Sequence, residues 1–187
     1  VINTINMAVV NTRRNSNMDV TTNCELHNTD SRLGWMPHAS GLDAMTEARA
    51  VMKDLASWDF DTVKLSEFTS SPLLVVMEGC FEALHIFQEM EYLDREKFRN
   101  FVYRAQGSYN PKVPYHNSMH AADVVQTTFF FITTGGLSAH VSEITVFSLL
   151  VAACGHDIGH LGVNNKFLRD TTHRLAVEYN DFSPLES

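Results

Sequence analysis

Residues 115–124 read YHNSMHAADV, and residues 156–165 read HDIGHLGVNN. Each stretch lies at the edge of an apolar segment, and together they hold four histidines and two aspartates. His116 and His120 are four residues apart, so on a helix they would lie on one face, one turn above the other. Imidazole and carboxylate groups are ligands of zinc and of harder divalent ions. Two such clusters on facing helices would converge on a metal pair.

The composition limits the kind of partner this chain can bind. Its 187 residues suffice for one domain with a sizeable core. The formal net charge of -8 argues against a broad phosphate-binding surface, and therefore against nucleic acid as a partner. An anionic small substrate would instead need local positive charge, which bound metal ions supply.

The cysteines and the apolar segments bear on the compartment. Cys24, Cys80 and Cys154 are far apart and form neither a zinc pattern nor a disulfide framework, which predicts a reducing, cytoplasmic setting. Cys154 is expected to be a buried small residue. The longest apolar run, residues 146–154, is too short to span a bilayer. No basic segment precedes the first apolar residues, so no signal peptide is expected.

Helical spacing of apolar residues dominates the chain after an Asn-, Thr- and Ser-rich beginning. Ser71-Pro72, Asp94 and Ser142 are the expected helix starts, and the stripe from Leu73 to Met90 is expected to be core. The helix at 141–155 is expected to be buried on most sides. No alternation is long enough to predict a strand, so the fold class is all-α. The predicted helices cover 42–55, 73–90, 94–107, 117–134, 141–155, 164–169 and 172–179.

The histidine clusters favour chemistry over a structural role. A lone histidine on a helix is usually structural or solvated, but burying this many ionisable groups is costly unless they are paired or bound to metal. His116 precedes His120 by one predicted turn, so it could reach over a metal without binding it. A general acid would be useful at that place.

These two motifs resemble the paired histidine motifs of the class I cyclic nucleotide phosphodiesterases. The apolar helix between them has the length that the family shows, and residues 180–186, NDFSPLE, resemble its next landmark. The resemblance runs from about Trp58 to the end of the chain. It implies that residues 58–187 are the N-terminal part of a compact multi-helix catalytic domain. Residues 1–57 resemble the variable, partly helical region ahead of it.

The family's functional residues are carried over by position. The resemblance implies that His116 donates a proton to the leaving 3′ oxygen in the hydrolysis of cyclic AMP, cyclic GMP or both to the 5′-monophosphate. It implies that His120, His156 and Asp157 bind a tight metal, usually zinc, and that Asp157 bridges to a second metal, usually magnesium or manganese. The remaining implied positions are His160, Asp123 and Glu186 around the second metal and its water, and Tyr115 and Asn165 in the substrate pocket. For Asp123, a structural role in capping or orienting neighbouring residues is expected as much as a direct role in the site.

The chain also departs from the family pattern. Gly159 stands where the family commonly has a second aspartate, and Leu161 stands where it commonly has proline. The family's fourth metal ligand, its purine-binding glutamine and its aromatic clamp would lie beyond Ser187. The chain does not begin with Met, and Ser183-Pro184 reads as the start of a helix with Ser183 as its cap. We therefore expect a piece of a longer protein, with an incomplete site that the remaining half of the domain completes as a further segment or a separate chain.

Two alternatives stay open. The first is another metal-dependent nucleotide phosphohydrolase of the broader His-Asp helical type. The second is a non-catalytic fragment that binds a partner through an exposed half-core. The choice between cyclic AMP and cyclic GMP is also open, because the base-contacting residues are absent. The identity of the second metal is open too, because oxygen ligands and waters accept either magnesium or manganese.

Overall fold

The computed structural model describes residues 42–187, and within that range every regular element is a helix and no strand occurs. The predicted all-α fold class is confirmed. Residues 1–41 lie outside the described residues, and so do the expectations for Cys24 and for most of the variable region. The helices are α1 Leu42–Met52, α2 Thr62–Phe68, α3 Pro72–Ala83, α4 Ile86–Glu89, α5 Arg95–Ser108, α6 Ser118–Thr133, α7 Glu143–Gly155, α8 Asn165–Asp170 and α9 Arg174–Glu178, with a 3₁₀ turn at Leu137–Ala139.

Helix α3 is the centre of the core. Its five consecutive residues from Leu73 to Met77 are fully buried, because α5, α6 and α7 all pack against this helix. Phe81 near its end contacts Phe87, Phe98 and Phe147, which joins α3 to α4, α5 and α7. Helix α6 packs between α3 and α7, so the two helices that carry the histidine motifs are direct neighbours.

Three of the expected helix starts are confirmed. Asp94 accepts a hydrogen bond from the backbone N–H of Lys97, and Ser142 accepts one from that of Thr145. Helix α3 begins at Pro72 after Ser71, although the Ser71 side chain makes no capping bond. Proline suits this place because the first helical turn needs no N–H donor.

The single helix expected over residues 73–90 is wrong. The chain leaves the helix at Leu84, and His85 adopts a left-handed conformation with φ +56° before α4 begins. The bend returns the chain to the core, where Phe87 packs against Phe81 with ring centroids 5.5 Å apart. The apolar spacing was correct for the core residues but carried no signal for the bend.

Two other expectations are wrong: that the helix at 141–155 is buried on most sides, and that Ser183 caps a helix. Helix α7 is buried along one side only, at Val146, Leu150, Ala153 and Cys154, while Ile144 is 56% exposed. Ser183 has φ +40°, which is not the extended conformation of a helix cap, and residues 184–186 form a turn. Cys154 is fully buried, as expected.

Helix α2 was not predicted. It has seven residues and buries only Thr62 and Leu65, so it is too short to show a helical stripe. Asp61 caps it through the backbone N–H of Lys64. Four buried residues of α1 and the turn after it belong to the same apolar cluster as α3 and α6: Ala48, Val51, Met52 and Leu55. Among the helices of residues 42–187, none is long and apolar enough to cross a membrane.

Candidate metal centre

Asn117 builds the start of the helix that carries His120. Its Oδ1 accepts hydrogen bonds from the backbone N–H groups of Met119 and His120, at 3.0 and 3.3 Å. This is the bond pattern of an N-cap, which satisfies donors that the first turn leaves free. Helix α6 therefore begins at Ser118, and His116 lies before it. The expectation that His116 and His120 share one face of a helix is wrong, because the cap residue separates them.

The other end of the Asn117 amide holds the preceding loop. Its Nδ2 donates to the carbonyl of Val113 at 3.1 Å and lies 3.4 Å from that of Pro114. One side chain thus joins the loop that carries His116 to the helix that carries His120. The two imidazole rings end up with centroids 5.8 Å apart.

The second motif occupies the turn at the end of α7. His156 follows the last helical residue, and its Nδ1 is 2.9 Å from the carbonyl oxygen of Ala153. A carbonyl can only accept, so Nδ1 carries the proton. In the neutral ring, Nε2 then has a free lone pair, and it lies 3.1 Å from Oδ2 of Asp157. Such a backbone bond is the usual way in which a metal-binding imidazole is oriented.

Three ligand atoms from the two motifs converge. One atom each from His120, His156 and Asp157 lies within 4.8 Å of the others. Nε2 of His120 is 3.5 Å from Oδ2 of Asp157, which is also the oxygen that faces His156. Ligands about 2.1 Å from a tetrahedral ion lie roughly 3.4 Å apart, so both distances match the edge of such a site.

The electrostatics also favour a cation here. Burial lowers the pKa of His120, the neighbouring His156 acts in the same direction, and Asp157 opposes them. A lowered pKa favours the neutral imidazole, which is the form that binds metal. Nε2 of His156 lies 3.1 Å from the same carboxylate oxygen that Nε2 of His120 faces at 3.5 Å. Two imidazole nitrogens and one carboxylate oxygen that converge in this way fit a divalent metal ion.

His116 and His160 lie beside this group without joining it. Their rings stack with centroids 3.9 Å apart at an interplanar angle of 21°. Tyr115 is 62% exposed and packs edge-on to His116, and its ring centroid is 4.5 Å from that of His120. The rings of Tyr115, His116 and His160 thus form a group next to His120.

The loop after His160 lies close against the side chain of Val113. Gly162 has φ +78°, and a Cβ there would lie 3.2 Å from Cγ2 of Val113. Val113 is buried, and Asn117 binds its carbonyl. Glycine is therefore required where the loop of the second motif meets the loop of the first. Gly162 also donates its N–H to Nδ1 of His160 at 3.0 Å.

Asp123, Asn165 and Glu186 are not part of the three-atom group. The Asp123 carboxylate is exposed and accepts a hydrogen bond from Thr62 at 3.3 Å. Asn165 and Glu186 contact each other instead, through an amide-to-carboxylate bond of 2.9 Å. Asn165 also accepts the backbone N–H of Leu185 at 3.0 Å. The structure thus brings these two predicted residues together, and within residues 42–187 neither shares a hydrogen bond or an ion pair with the histidines.

Residues 115–187 match the family model described as 3′5′-cyclic nucleotide phosphodiesterase. The matched segment contains both histidine motifs and the landmark at 180–186. The chain carries part of a class I cyclic nucleotide phosphodiesterase catalytic domain. The family membership expected from the two histidine motifs is confirmed.

Similar proteins support this phosphodiesterase assignment. The chain is 33% identical over 163 residues to the 3′,5′-cyclic-nucleotide phosphodiesterase regA of Dictyostelium discoideum, covering 87% of this chain and 20% of that protein. It is 34% identical over 137 residues to the mouse 3′,5′-cyclic-AMP phosphodiesterase 4C, covering 73% of this chain and 20% of that protein. It thus spans about a fifth of the length of these curated relatives.

A solved structure has the same fold. The phosphodiesterase domain of the Salpingoeca rosetta rhodopsin phosphodiesterase superposes with a TM-score of 0.62 at 30% identity. The match covers 80% of this chain and 43% of that one. The phosphodiesterase fold is therefore confirmed for the described residues that superpose.

Two departures from the phosphodiesterase pattern can be placed. Gly159 has φ +80°, and open space surrounds the position of a Cβ there. Leu161 is 44% exposed. Neither residue belongs to the three-atom group, so the differences leave the candidate ligands intact.

Sequence reasoning missed the residues that hold the site together. Asn117 and Gly162 lie within the two histidine motifs, but the sequence pattern predicted no role for them in the site. Tyr109 was not singled out, although it is 4% exposed and its hydroxyl donates to the carbonyl of Cys154 at 2.9 Å. Burial raises the pKa of Tyr109 to about 12, so the hydroxyl keeps its proton. A tyrosine before an Asn-Pro loop carries no signal for a contact 45 residues away.

Proposed function

We propose that the protein carrying this chain hydrolyses 3′,5′-cyclic nucleotides to 5′-nucleoside monophosphates and so ends cyclic nucleotide signals. The single observation that carries the proposal is the convergence of His120, His156 and Asp157 beside the unbound imidazole of His116. A metal next to a free proton donor is what the hydrolysis of an anionic diester with an alkoxide leaving group needs.

The three converging residues would hold the tight metal ion. Two imidazole nitrogens and a carboxylate oxygen suit zinc, and the distances of 3.5 and 3.1 Å from the two Nε2 atoms to Oδ2 of Asp157 are those of a tetrahedral set. Asp157 uses Oδ2 for both imidazole contacts, which leaves Oδ1 for a second ion. An ion held by one carboxylate oxygen and waters would be magnesium or manganese. Bound together, two such ions neutralise the phosphate and activate a water.

His116 would supply the proton. Its ring nitrogens are not among the converging ligand atoms, and its ring stacks on that of His160. The leaving 3′ oxygen would take its proton as the P–O bond breaks. His160 would also contact water near the second ion, and Asp123 would act there or orient its neighbours.

The substrate pocket would be completed by Tyr115 and Asn165, with Glu186 orienting the Asn165 amide. Tyr115 is exposed beside the histidines and can contact the nucleotide. The bond from Asn165 to Glu186 fixes which way its amide points. The discrimination between cyclic AMP and cyclic GMP would reside in residues outside this chain.

The remaining half of the catalytic domain would complete the centre, as a further segment or a separate chain. Two observations support this. The chain covers 43% of the solved phosphodiesterase domain that it resembles. Large apolar side chains that follow Asp157 in the sequence, Ile158, Leu161 and Phe182, are 45%, 44% and 78% exposed. The fourth ligand of the tight metal would come from that half.

The setting would be cytoplasmic, and the boundary between the variable region and this domain would lie at residues 57 and 58.

A substrate panel tests the proposal. The full-length protein should hydrolyse cyclic AMP, cyclic GMP or both, and a chelator should abolish the activity until zinc with magnesium or manganese restores it. Nucleoside mono- and triphosphates should not be turned over. Turnover of these, with none of either cyclic nucleotide, would reject the proposal in favour of a different His-Asp phosphohydrolase.

A further inference from the structure

Tyr109 connects two helices at the edge of the candidate metal centre. It follows the last residue of α5, and its backbone N–H donates to the carbonyl of Gln106. Its side chain is 4% exposed, and its hydroxyl reaches the carbonyl of Cys154, which lies in the last turn of α7. Both ends of the contact are therefore fixed by helices.

The carbonyl that Tyr109 binds is one that α7 cannot satisfy. The last four carbonyls of a helix have no partner within it. Around this turn, the Ala153 carbonyl faces the His156 ring, and the Gly155 carbonyl accepts the N–H of Ile158. These two bonds lie within the turn itself, whereas the bond to Cys154 comes from a different helix. It fixes where the end of α7 sits relative to the rest of the protein.

The same tyrosine begins the segment that leads to the first motif. His116 lies seven positions after Tyr109, and Val113 in that segment packs against Gly162. On the other side, His156 lies two positions after Cys154. One hydrogen bond thus joins the beginning of one ligand-bearing segment to the beginning of the other.

We propose that Tyr109 is a positioning residue that holds the His156–Asp157 turn at metal-binding distance from His120. The inference rests on the proposed metal centre and adds a residue to it. Without the hydroxyl, the buried Cys154 carbonyl lacks a partner, so the turn moves until it finds one. A shift of even a fraction of an ångström spoils a tetrahedral set, because its ligands must lie close to their ideal distances.

The test compares metal binding in full-length proteins. Tyr109→Phe removes only the hydroxyl, and we expect it to weaken zinc affinity about 10-fold, as loss of a group that orients a ligand typically does. Affinity is measured by competition with a chelator, and the absorption spectrum of bound cobalt reports the ligand geometry. We expect a shifted cobalt spectrum in the variant.

Two control variants separate positioning from stability. Tyr92→Phe removes a hydroxyl from a side chain that is 81% exposed, and it should change nothing. Phe98→Leu disturbs the aromatic cluster on α5, the helix that Tyr109 follows. It should lower the melting temperature while zinc affinity and the cobalt spectrum stay as in the unmodified protein.

The outcomes are distinct. If Tyr109→Phe lowers the melting temperature but leaves zinc affinity and the cobalt spectrum unchanged, the positioning role is overturned and the proposed function stands. If the unmodified protein binds neither zinc nor cobalt, the proposed metal centre falls and this inference with it.

A second pair of variants tests the proposal if the Tyr109→Phe protein does not fold. Incorporation of 4-fluorophenylalanine at position 109 keeps the length of the tyrosine ring but cannot donate, whereas 4-aminophenylalanine can. The amino protein should bind zinc as the unmodified protein does, and the fluoro protein should bind more weakly. Equal affinity in the two proteins would overturn the proposal. A fluoro protein that cannot fold beside an amino protein that can would also overturn it, since the bond would then hold the whole fold.

Discussion

Asn117→Ala should destabilise the protein more than loss of an ordinary helix cap. The amide of Asn117 caps α6 with its oxygen and binds the Val113 carbonyl with its nitrogen. Alanine removes both interactions. Asn164 provides a matched control, because it caps α8 by accepting the N–H of Phe167, and its amide nitrogen has no hydrogen-bond partner among the described residues.

The size of the effect follows from the bonds that are lost. Loss of an asparagine cap costs about 1 kcal/mol, and loss of the bond to Val113 costs about 1 kcal/mol more. Asn117→Ala should therefore lower the melting temperature by roughly 4–8 °C, at about 2–4 °C per kcal/mol for a domain of this size. Asn164→Ala should lower it by about 2–4 °C on the same scale.

Thermal unfolding followed by circular dichroism measures both values, with the metal removed so that binding does not contribute. Asn117→Asp keeps the capping oxygen but loses the donor, so it should fall between the unmodified protein and Asn117→Ala. An Asn117→Ala melting temperature no lower than that of Asn164→Ala would refute the reasoning, because the amide would then contribute only a cap.

Three further predictions concern the centre and the core. His116→Asn should lower kcat about 10²–10⁴-fold, the usual contribution of a general acid, while metal content by elemental analysis stays unchanged; loss of the tight metal would mean that His116 is a ligand. His120→Ala and Asp157→Ala should each lose the tight metal by the same analysis, and full retention would remove them from the ligand set. Burial raises the pKa of Glu78 above 4.5, and Arg99 opposes this shift. The stability that the protonated Glu78 carboxyl contributes is therefore present below pH 4.5 and is lost as the pH rises through the folded-state pKa. The stability of Glu78→Gln, measured by urea unfolding, should therefore improve relative to the unmodified protein between about pH 4 and pH 7, and a difference that is constant with pH would contradict this.

The sequence predicted the parts of the fold that depend on local patterns. Apolar residues at helical spacing identified the helices that cover the core, and Asp94 and Ser142 marked two starts because capping is a local interaction. The bend at His85 could not be predicted, since the packing of Phe87 against Phe81 and Phe98 requires it. Helix α2 was not predicted, because a helix of seven residues has too few buried positions to show a helical period.

The candidate site was predicted by residue type, but its geometry was not. Histidine and aspartate at these spacings indicated a metal, and the structure brings His120, His156 and Asp157 together. The helical stacking expected for His116 and His120 was wrong, because the Asn117 cap starts the helix between them. The bond from Tyr109 to Cys154 joins residues 45 positions apart, and no local pattern reports such a contact.

The most direct test of the central claim is a crystal structure of the full-length protein with anomalous scattering recorded at the zinc edge. The account predicts a strong peak about 2.1 Å from Nε2 of His120, Nε2 of His156 and Oδ2 of Asp157, with His116 outside bonding distance. Side chains of these three residues that point apart, with no anomalous peak among them, would contradict it.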